Sequence, residues 1–358
     1  MDISHILPAA VAAATGTSSE STFSLPPSDA VVVLLVDGMG YENLVAAQTL
    51  GLNAAALVSQ PPIQCTFPST TPVSLASLGT GLAPGKHGFV GATFLVPEFG
   101  TFLQPLKWDD TPDAFAVQPE PTWFERAEGQ GCRVTRIGPG VYAESGLTRA
   151  VLRGGSHVSA STLDELVTAV RTALTYAGKQ IVYAYYPDLD KTGHIYGAES
   201  DEWNSELAKV LEAVNQIASS LTSRQTLVVT ADHGMLNITE RRWIEDDAAL
   251  MRDVRFITGE PRMRHVFAQE GNASALLRAW TSLSDIADIY TREEFIVSGL
   301  LGSFDTAFEL RIGDVVAVAR EGFAVASRTV DERGSNLIGN HGGGTSTERL
   351  IPCAVMAG

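Results

Sequence analysis

The segment from Val31 to Val36 is an unbroken run of valine and leucine that ends in Asp37-Gly38. Such a run is typical of a strand that is buried on both faces of a parallel sheet. Similar runs recur, each preceded by a segment with an apolar stripe at helical spacing. The predicted helix and strand pairs are 123–128 with 132–137, 162–177 with 181–186, and 205–221 with 226–230. This alternation predicts an α/β fold with a doubly wound, mostly parallel sheet and helices on both faces.

The pattern changes between residues 241 and 334. Residues 262–269 are predicted to form a strand, residues 273–283 a helix, and residues 314–326 two strands around Glu321-Gly322. We therefore predict that residues 1–240 and 335–358 form one α/β core. Residues 241–334, which we call the insert, are predicted to form a smaller inserted α+β domain.

Acidic residues outnumber basic ones, which gives the 358-residue chain a formal net charge of −16 and a pI of about 4.8. A field of that sign repels nucleic acid and anionic membranes, so neither is an expected partner. A small phosphorylated substrate, such as a nucleotide, is compatible with this charge because bound divalent cations invert the local potential.

The remaining compositional features indicate a protein of a reducing compartment. No apolar run is long enough to span a bilayer. Residues 1–22 lack the basic flank of a secretory signal and are predicted to form an N-terminal helix or arm. The three cysteines are Cys65, Cys132 and Cys353, whose spacing predicts free, partly buried thiols. We expect the protein to be cytoplasmic.

Acidic and histidine residues follow several of the predicted strands. These residues are Asp37, Asp188, Asp190, His194, Asp232, His233 and His341. Each alone has an ordinary explanation, since an aspartate after a strand often caps a helix and a histidine is often structural. Because ligands of open α/β sheets bind at the carboxyl ends of the strands, we expect the set to converge. Carboxylates with imidazoles are suited to zinc or manganese.

Thr71-Pro72 predicts the N-cap and first turn of a helix that runs to Gly79–Gly81. The free N–H groups of such an N-terminus favour a phosphate there. A threonine hydroxyl becomes nucleophilic only when a base or a metal activates it, and the neighbouring ligand set could supply the metal. The alternative interpretation is that Thr71 only caps the helix.

These motifs resemble those of the alkaline phosphatase superfamily, and most closely those of the type I phosphodiesterase/nucleotide pyrophosphatase family. The nucleophile of that family lies three residues after a proline, and a Thr-Gly pair and Pro-x-x-His-Gly follow. Pro68, Thr71, Thr80-Gly81 and Pro84-Gly-Lys-His87-Gly88 match this spacing. The resemblance covers residues 31–93, 181–235 and 340–357.

The resemblance implies a hydrolase of phosphate esters with two divalent metal ions, zinc being favoured over manganese. The implied ligands of one ion are Asp37, Thr71, Asp232 and His233, and those of the other are Asp190, His194 and His341. Thr71 is the implied nucleophile, which would form a phospho-threonine intermediate. Asp188 does not fit the ligand spacing and is predicted either to contact the ligands without binding the metal or to be structural. His87 is predicted to be structural.

The sequence departs from the family pattern at Ala92, where many relatives carry an asparagine that contacts a phosphate oxygen. Thr93 or backbone N–H groups are the candidate replacements. This departure weakens a specific prediction of nucleotide pyrophosphatase activity.

Three other functions are compatible with the motifs. A phosphomonoester or phosphonate hydrolase would need an extra cationic donor, for which Lys86, Lys107 and Lys191 are candidates. A metal-dependent phosphomutase of the same superfamily would also carry an inserted domain. A metal-binding protein without catalytic activity is the third. The sequence leaves the oligomeric state open.

Overall fold

The computed structural model describes residues 1–17 and 23–358, and within them a six-stranded sheet forms the centre of the molecule. Its strands, from one edge to the other, are Cys353–Ala357, Gln225–Thr230, Ala30–Val36, Gln180–Tyr186, Arg133–Gly138 and Ser156–Ser159. Neighbouring strands are parallel, except that Cys353–Ala357 runs antiparallel to Gln225–Thr230. The predicted mostly parallel sheet is confirmed.

Helices cover this sheet and exclude water from its centre. All seven residues of Ala30–Val36 are buried, as expected for a strand with both faces covered. Helix Ile6–Thr15 packs on this strand and on helix Thr71–Thr80, whereas helix Leu163–Ala173 packs on Asp201–Ala218. The predicted α/β fold is therefore confirmed.

The remaining elements are short. The other helices are Tyr41–Thr49, Ala55–Val58, Pro84–His87, Ala114–Val117, Trp123–Gly129, Gly146–Val151, Asp188–Tyr196, Ala248–Met251, Ala273–Trp280, Arg292–Val297, Arg328–Asn336 and Ser346–Arg349. The 3-10 turns are Ile3–His5, Pro97–Phe99, Pro105–Lys107, Gly140–Tyr142, Ile244–Asp246, Thr281–Leu283 and Thr306–Arg311. The short strands are Ile63–Gln64, Phe94–Val96, Thr101–Leu103, Leu236–Asn237, Glu240–Trp243, Phe323–Ala326, Gly339–Asn340 and Leu350–Ile351.

The insert contains its own antiparallel sheet. Its strands, in spatial order, are Val254–Glu260, Met263–Ala268, Val315–Ala319 and Ala287–Thr291. Trp280 and other buried side chains form a separate apolar cluster, but Met263, Phe295 and Val316 join the core of the larger sheet. The insert is thus α+β in character and shares a continuous apolar contact with the core. The boundaries at residues 241 and 334 stay a prediction.

The two strands predicted within residues 314–326 form, but they do not pair with each other. Val315–Ala319 pairs with strands of the insert sheet, whereas Phe323–Ala326 pairs in parallel with Glu240–Trp243. The prediction of a strand pair is therefore wrong, because each strand finds its partner far away in the sequence.

Helix Ile6–Thr15 accounts for most of the predicted N-terminal element, and residues 18–22 lie outside the described part of the chain. All three cysteines are free and buried, in agreement with the prediction. Among the described residues, none of the helices combines the length and the apolarity that crossing a bilayer requires.

Candidate metal centre and active site

Three neighbouring strands of the large sheet end at the same place. Asp37 directly follows Ala30–Val36, Asp190 lies in the first turn of the helix after Gln180–Tyr186, and Asp232 follows Gln225–Thr230 closely. Because these strands are parallel and adjacent, their carboxyl ends bring the three carboxylates to one edge. All three residues are buried.

Asp190, His194 and His341 form one cluster whose ligand atoms all lie within 4.8 Å of one another. His194 Nε2 lies 3.2 Å from one Asp190 oxygen, and His341 Nε2 lies 3.7 Å from the other. His194 is on the same helix as Asp190, one turn later, whereas His341 arrives after the insert. The structure thus brings together the three residues predicted for one metal ion.

Asp37, Asp190 and His233 form a second cluster with the same spread of ligand atoms. His233 Nε2 lies 3.3 Å from Asp37 Oδ1 and 3.5 Å from Asp232 Oδ2. The residues predicted for the other ion therefore also meet, and Asp190 stands between the two clusters. The rings of His233 and His341 are stacked, with 3.5 Å between their centroids.

Several buried carboxylate oxygens at this edge accept no hydrogen bond from the described residues. They are Asp37 Oδ1, Asp190 Oδ1 and Asp232 Oδ2. An unpaired buried carboxylate oxygen is costly, and a bound cation removes that cost. The donor set of carboxylates and imidazoles therefore fits divalent metal ions.

The three histidines are oriented by hydrogen bonds on the far side of their rings. In each, Nδ1 donates to a backbone carbonyl oxygen, which leaves Nε2 directed at the carboxylates. The acceptors are Gly339 for His194, Gly234 for His233 and Ser69 for His341, at 2.9, 3.1 and 2.9 Å. Such second contacts are the usual means by which proteins fix metal-binding imidazoles.

The electrostatic environment of the cluster favours the binding of positive charge. Burial and the neighbouring Asp37 raise the pKa of Asp232 well above its usual value. Burial opposes protonation of His233, but Asp232 and Asp37 outweigh it and raise the pKa of that imidazole to about 10. Crowded carboxylates that stabilise protons in this way will stabilise a divalent cation for the same reason.

Thr71 lies beside His233, with 3.2 Å between its hydroxyl oxygen and Nε2. The predicted N-cap role is wrong by one residue. Thr70 is the N-cap of helix Thr71–Thr80 because its backbone is extended, and its side chain makes no capping hydrogen bond. The Thr71 hydroxyl is therefore not used for capping and lies beside the cluster of candidate metal ligands.

The two groups at Ala92 and Thr93 that could replace the family asparagine have other hydrogen-bond partners. The Ala92 N–H donates to Glu260 Oε2 at 2.9 Å, and the Thr93 hydroxyl is hydrogen-bonded to both backbone groups of Gly259. Neither candidate replacement for the family asparagine is free, because both are bound to the insert. Glu260 itself is buried against Gly342, next to a predicted ligand.

His87 and Asp188, which were not predicted to be metal ligands, are hydrogen-bonded to neighbouring residues of the chain. His87 Nε2 lies 2.9 Å from Ser77 Oγ, and its Nδ1 accepts the N–H of Phe89, so the ring closes the turn after the helix. Asp188 binds Lys191 at 2.7 Å. Of the three lysines considered as cationic donors, Lys191 borders the cavity described next, whereas Lys86 and Lys107 are exposed elsewhere.

A cavity of about 310 Å³ opens beside the cluster. Asp37, Thr71, Asp190 and His194 line one end of it, so the candidate nucleophile faces the cavity. The cavity lies over the carboxyl ends of the strands, where α/β sheets bind ligands.

Sequence reasoning missed several residues around this centre. Tyr185 donates a hydrogen bond to Asp37 Oδ2, and Glu260 and Arg262 reach the loop around His341 from the insert. The alternation of the strand could have placed Tyr185 on the face of the cavity. No local pattern marks the two insert residues, whose neighbours lie about eighty residues away.

The chain matches the family model of the type I phosphodiesterase/nucleotide pyrophosphatases over residues 31–343. It is 23% identical over 333 residues to human ectonucleotide pyrophosphatase/phosphodiesterase family member 5, covering 91% of this chain and 68% of that protein. An uncharacterised pyrophosphatase/phosphodiesterase of Schizosaccharomyces pombe is 25% identical over 229 residues, which are 60% of this chain and 47% of the relative. The chain thus spans about half the length of the yeast relative.

Solved structures of two kinds share the fold. Murine ectonucleotide pyrophosphatase/phosphodiesterase 5 superimposes with a TM-score of 0.72 at 17% identity, covering 90% of this chain and 87% of that one. Phosphonoacetate hydrolase from Sinorhizobium meliloti superimposes with a TM-score of 0.72 at 20% identity, covering 93% and 91%. With the family model matched over most of its length, this chain belongs to the type I phosphodiesterase/nucleotide pyrophosphatase family, within the alkaline phosphatase superfamily.

Proposed function

We propose that the protein is a metal-dependent hydrolase of phosphoric ester or anhydride bonds with Thr71 as its nucleophile. The observation that carries this proposal is the position of the Thr71 hydroxyl, 3.2 Å from His233 Nε2 and at the end of the cavity. A hydroxyl placed beside buried carboxylates and imidazoles, and not used for capping, is suited to nucleophilic attack. Membership of the family supports the same reaction class.

We propose that two divalent ions, zinc or manganese, occupy the two clusters. Asp190, His194 and His341 would hold one ion, and Asp37, Asp232, His233 and the Thr71 oxygen the other. When bound, the ions supply positive charge that activates the threonine hydroxyl and offsets charge on the transferring phosphoryl group. The chain itself fixes the imidazoles through their carbonyl contacts and presents the N-terminus of helix Thr71–Thr80 to the phosphate.

Thr71 would attack phosphorus in line with the leaving oxygen and become phosphorylated, and water would then release the phosphoryl group from the threonine. Asp190 and His194 of the short helix Asp188–Tyr196 line the same cavity as Thr71 and would lie beside this intermediate. The solved murine relative supports the assignment, because its inactive threonine-to-alanine variant was crystallised in complex with AMP. A nucleotide is therefore a reasonable first substrate to test.

The test compares Thr71→Ala with Thr80→Ala, which removes a buried hydroxyl at the other end of the same helix. Both variants and the wild type are assayed with bis(4-nitrophenyl) phosphate, and their metal content is measured by elemental analysis. We expect turnover of Thr71→Ala to fall by at least about 1000-fold. Thr80→Ala should stay within about threefold of the wild type.

Normal turnover of Thr71→Ala would refute the assignment of Thr71 as the nucleophile. Chelation should abolish wild-type activity, and added zinc or manganese should restore it; full activity after exhaustive chelation would contradict the metal requirement.

A phosphonate hydrolase is the second candidate, because the phosphonoacetate hydrolase of S. meliloti shares the fold over 93% of this chain. Phosphate release from phosphonoacetate and from 4-nitrophenyl phosphate, compared with nitrophenol release from the nitrophenyl diester, ranks the alternatives. The phosphomutase alternative predicts isomers of a sugar phosphate without release of phosphate, so measuring both products from a sugar phosphate separates it from hydrolysis.

A further inference from the structure

One row of side chains crosses the sheet beneath the cavity. Arg136 lies in register with Tyr183 on one neighbouring strand and with His157 on the other. Residues in register on adjacent parallel strands project from the same face of the sheet. All three line the cavity that begins at Asp37 and Thr71. The row therefore forms part of the cavity wall at a distance from the metal centre.

Each member of this row has a buried polar atom without a hydrogen-bond partner in the described chain. These atoms are Arg136 Nε, His157 Nε2 and the Tyr183 hydroxyl. Tyr183 is only 4% exposed, so water has little access to its hydroxyl. Three unsatisfied buried groups in one short row are costly, and a ligand that bonds to them removes the cost.

The charge of the row is positive. Glu144 and Glu128 act on Arg136 only at a distance, and its guanidinium makes no ion pair with any carboxylate of the described residues. Lys191 also borders the cavity, but Asp188 neutralises it at 2.7 Å. Arg136 is thus the cation of the cavity wall that lacks a counter-ion.

The hydrogen-bonding capacity of the three groups indicates which kind of ligand they would bind. Arginine and tyrosine can donate through these atoms, and a neutral histidine donates through Nε2 in one of its tautomers. An anionic group accepts several hydrogen bonds and carries the charge that pairs with Arg136. A neutral amide would set its own N–H groups against some of these donors.

The distance of the row from Asp37 indicates how long the ligand must be. Tyr183 is in register with Val33, four residues before Asp37, so the backbone of the row lies about 13 Å from the backbone of Asp37 along the strand direction. Leu75, Leu106, Ile137 and Leu147 also line the cavity. An organic phosphate with an apolar spacer can extend from Thr71 along these side chains to the row.

We infer that the Arg136–Tyr183–His157 row is a specificity site that binds a second anionic group on the organic part of the substrate. The substrate class is thus a phosphate ester whose organic part carries a carboxylate or phosphate at the far end of an apolar spacer. The inference rests on the proposed function only in that it places the reacting phosphate at Thr71.

The test measures binding and does not require turnover. A series of ω-phosphonoalkanoic acids of increasing chain length is titrated calorimetrically into the metal-loaded wild type, together with the matching ω-phosphonoalkanamides. We expect one chain length for which the acid binds at least about tenfold more tightly than the amide. Equal binding of acid and amide at every length would overturn the inference, and this comparison needs no variant.

In Arg136→Gln the acid and the matching amide should bind with about equal affinity. Arg133→Gln is the matched control, because Arg133 lies on the same strand, faces the opposite side, is exposed and stacks on Tyr176. It should keep the wild-type preference. An Arg136→Gln protein that is folded by circular dichroism and still prefers the acid would also overturn the inference. Hydrolysis of bis(4-nitrophenyl) phosphate by the wild-type preparation reports separately on the proposed function.

Discussion

Arg262 of the insert and Glu348 of the C-terminal segment form a bidentate ion pair in which both side chains are fully buried. Arg262 Nε and Nη2 donate to the two carboxylate oxygens at 2.8 and 2.9 Å. The same carboxylate accepts the N–H of Gly343 and the hydroxyl of Thr345, each at 2.8 Å. The pair thus ties the insert to the loop that carries His341.

We predict that Arg262→Met destabilises the protein by about 3–5 kcal/mol, because it leaves a buried carboxylate without its cation. Urea unfolding followed by circular dichroism measures the loss. Arg320→Met is the control, since Arg320 and Asp288 form a pair that is half exposed and whose loss should cost less than about 1 kcal/mol. Equal costs for the two variants would show that burial of the pair is unimportant.

Removal of one ligand from each cluster should reduce the metal content. We predict that His341→Ala and Asp232→Asn each lose at least one ion per chain, because each cluster has few ligands to spare. Elemental analysis of protein purified in the presence of zinc measures the stoichiometry. His5→Ala, which alters a half-exposed histidine next to Asp2, should keep the wild-type value. Full stoichiometry in both ligand variants would disprove the assignment.

The glycine after the Asp232-His233 pair allows a close approach of two chain segments. A methyl group on Gly234 would lie 2.0 Å from the carbonyl oxygen of Thr347, so Gly234→Ala must displace one of the two segments. We predict a lower melting temperature and reduced metal content. Gly129→Ala is the control, because no atom lies within 4 Å of its added carbon. A Gly234→Ala variant with wild-type melting and metal content would contradict this packing argument.

Glu260 should make the stability depend on pH. Burial raises the pKa of Glu260 to about 8, despite the Ala92 N–H, which lowers it. Between its ordinary pKa and that value, the folded protein keeps a proton that the unfolded chain releases, so this residue makes stability fall as pH rises. Glu260→Gln keeps an oxygen for Ala92 and removes the titration. We predict that thermal unfolding temperatures of this variant decline less than those of the wild type between about pH 5 and pH 9. Parallel declines would refute the prediction.

The convergence of Asp37, Asp190 and Asp232 could be predicted because it depends only on parallel strands and their order along the chain. Each strand run was visible locally, and parallel strands present their carboxyl ends at the same edge. His341 was expected to join this set from its Gly-rich segment, but its assignment to a particular metal ion came only from the resemblance, since it follows a two-residue strand far from the others. The N-cap was misplaced by one residue because Thr70 and Thr71 have the same capping propensity and differ only in backbone conformation.

The contacts of the insert could not be predicted from the sequence. Arg262 and Glu348 are eighty-six residues apart, and neither sits in a pattern that marks it as buried. The row of Arg136, Tyr183 and His157 depends on the register of three strands, which is set by the packing of whole elements. These are the features in which tertiary structure adds information that local periodicity lacks.

The position of His341 beyond the insert has a consequence for biosynthesis. A ribosome that has produced the first three hundred residues has already made Asp37, Asp190, His194, Asp232 and His233, but not the last imidazole. Until the segment that contains His341 emerges and docks, nascent chains hold at most an incomplete set of the candidate ligands. Assembly of the candidate cation site therefore depends on residues made after the insert, so chains that end before His341 should bind fewer metal ions than the chain that includes it.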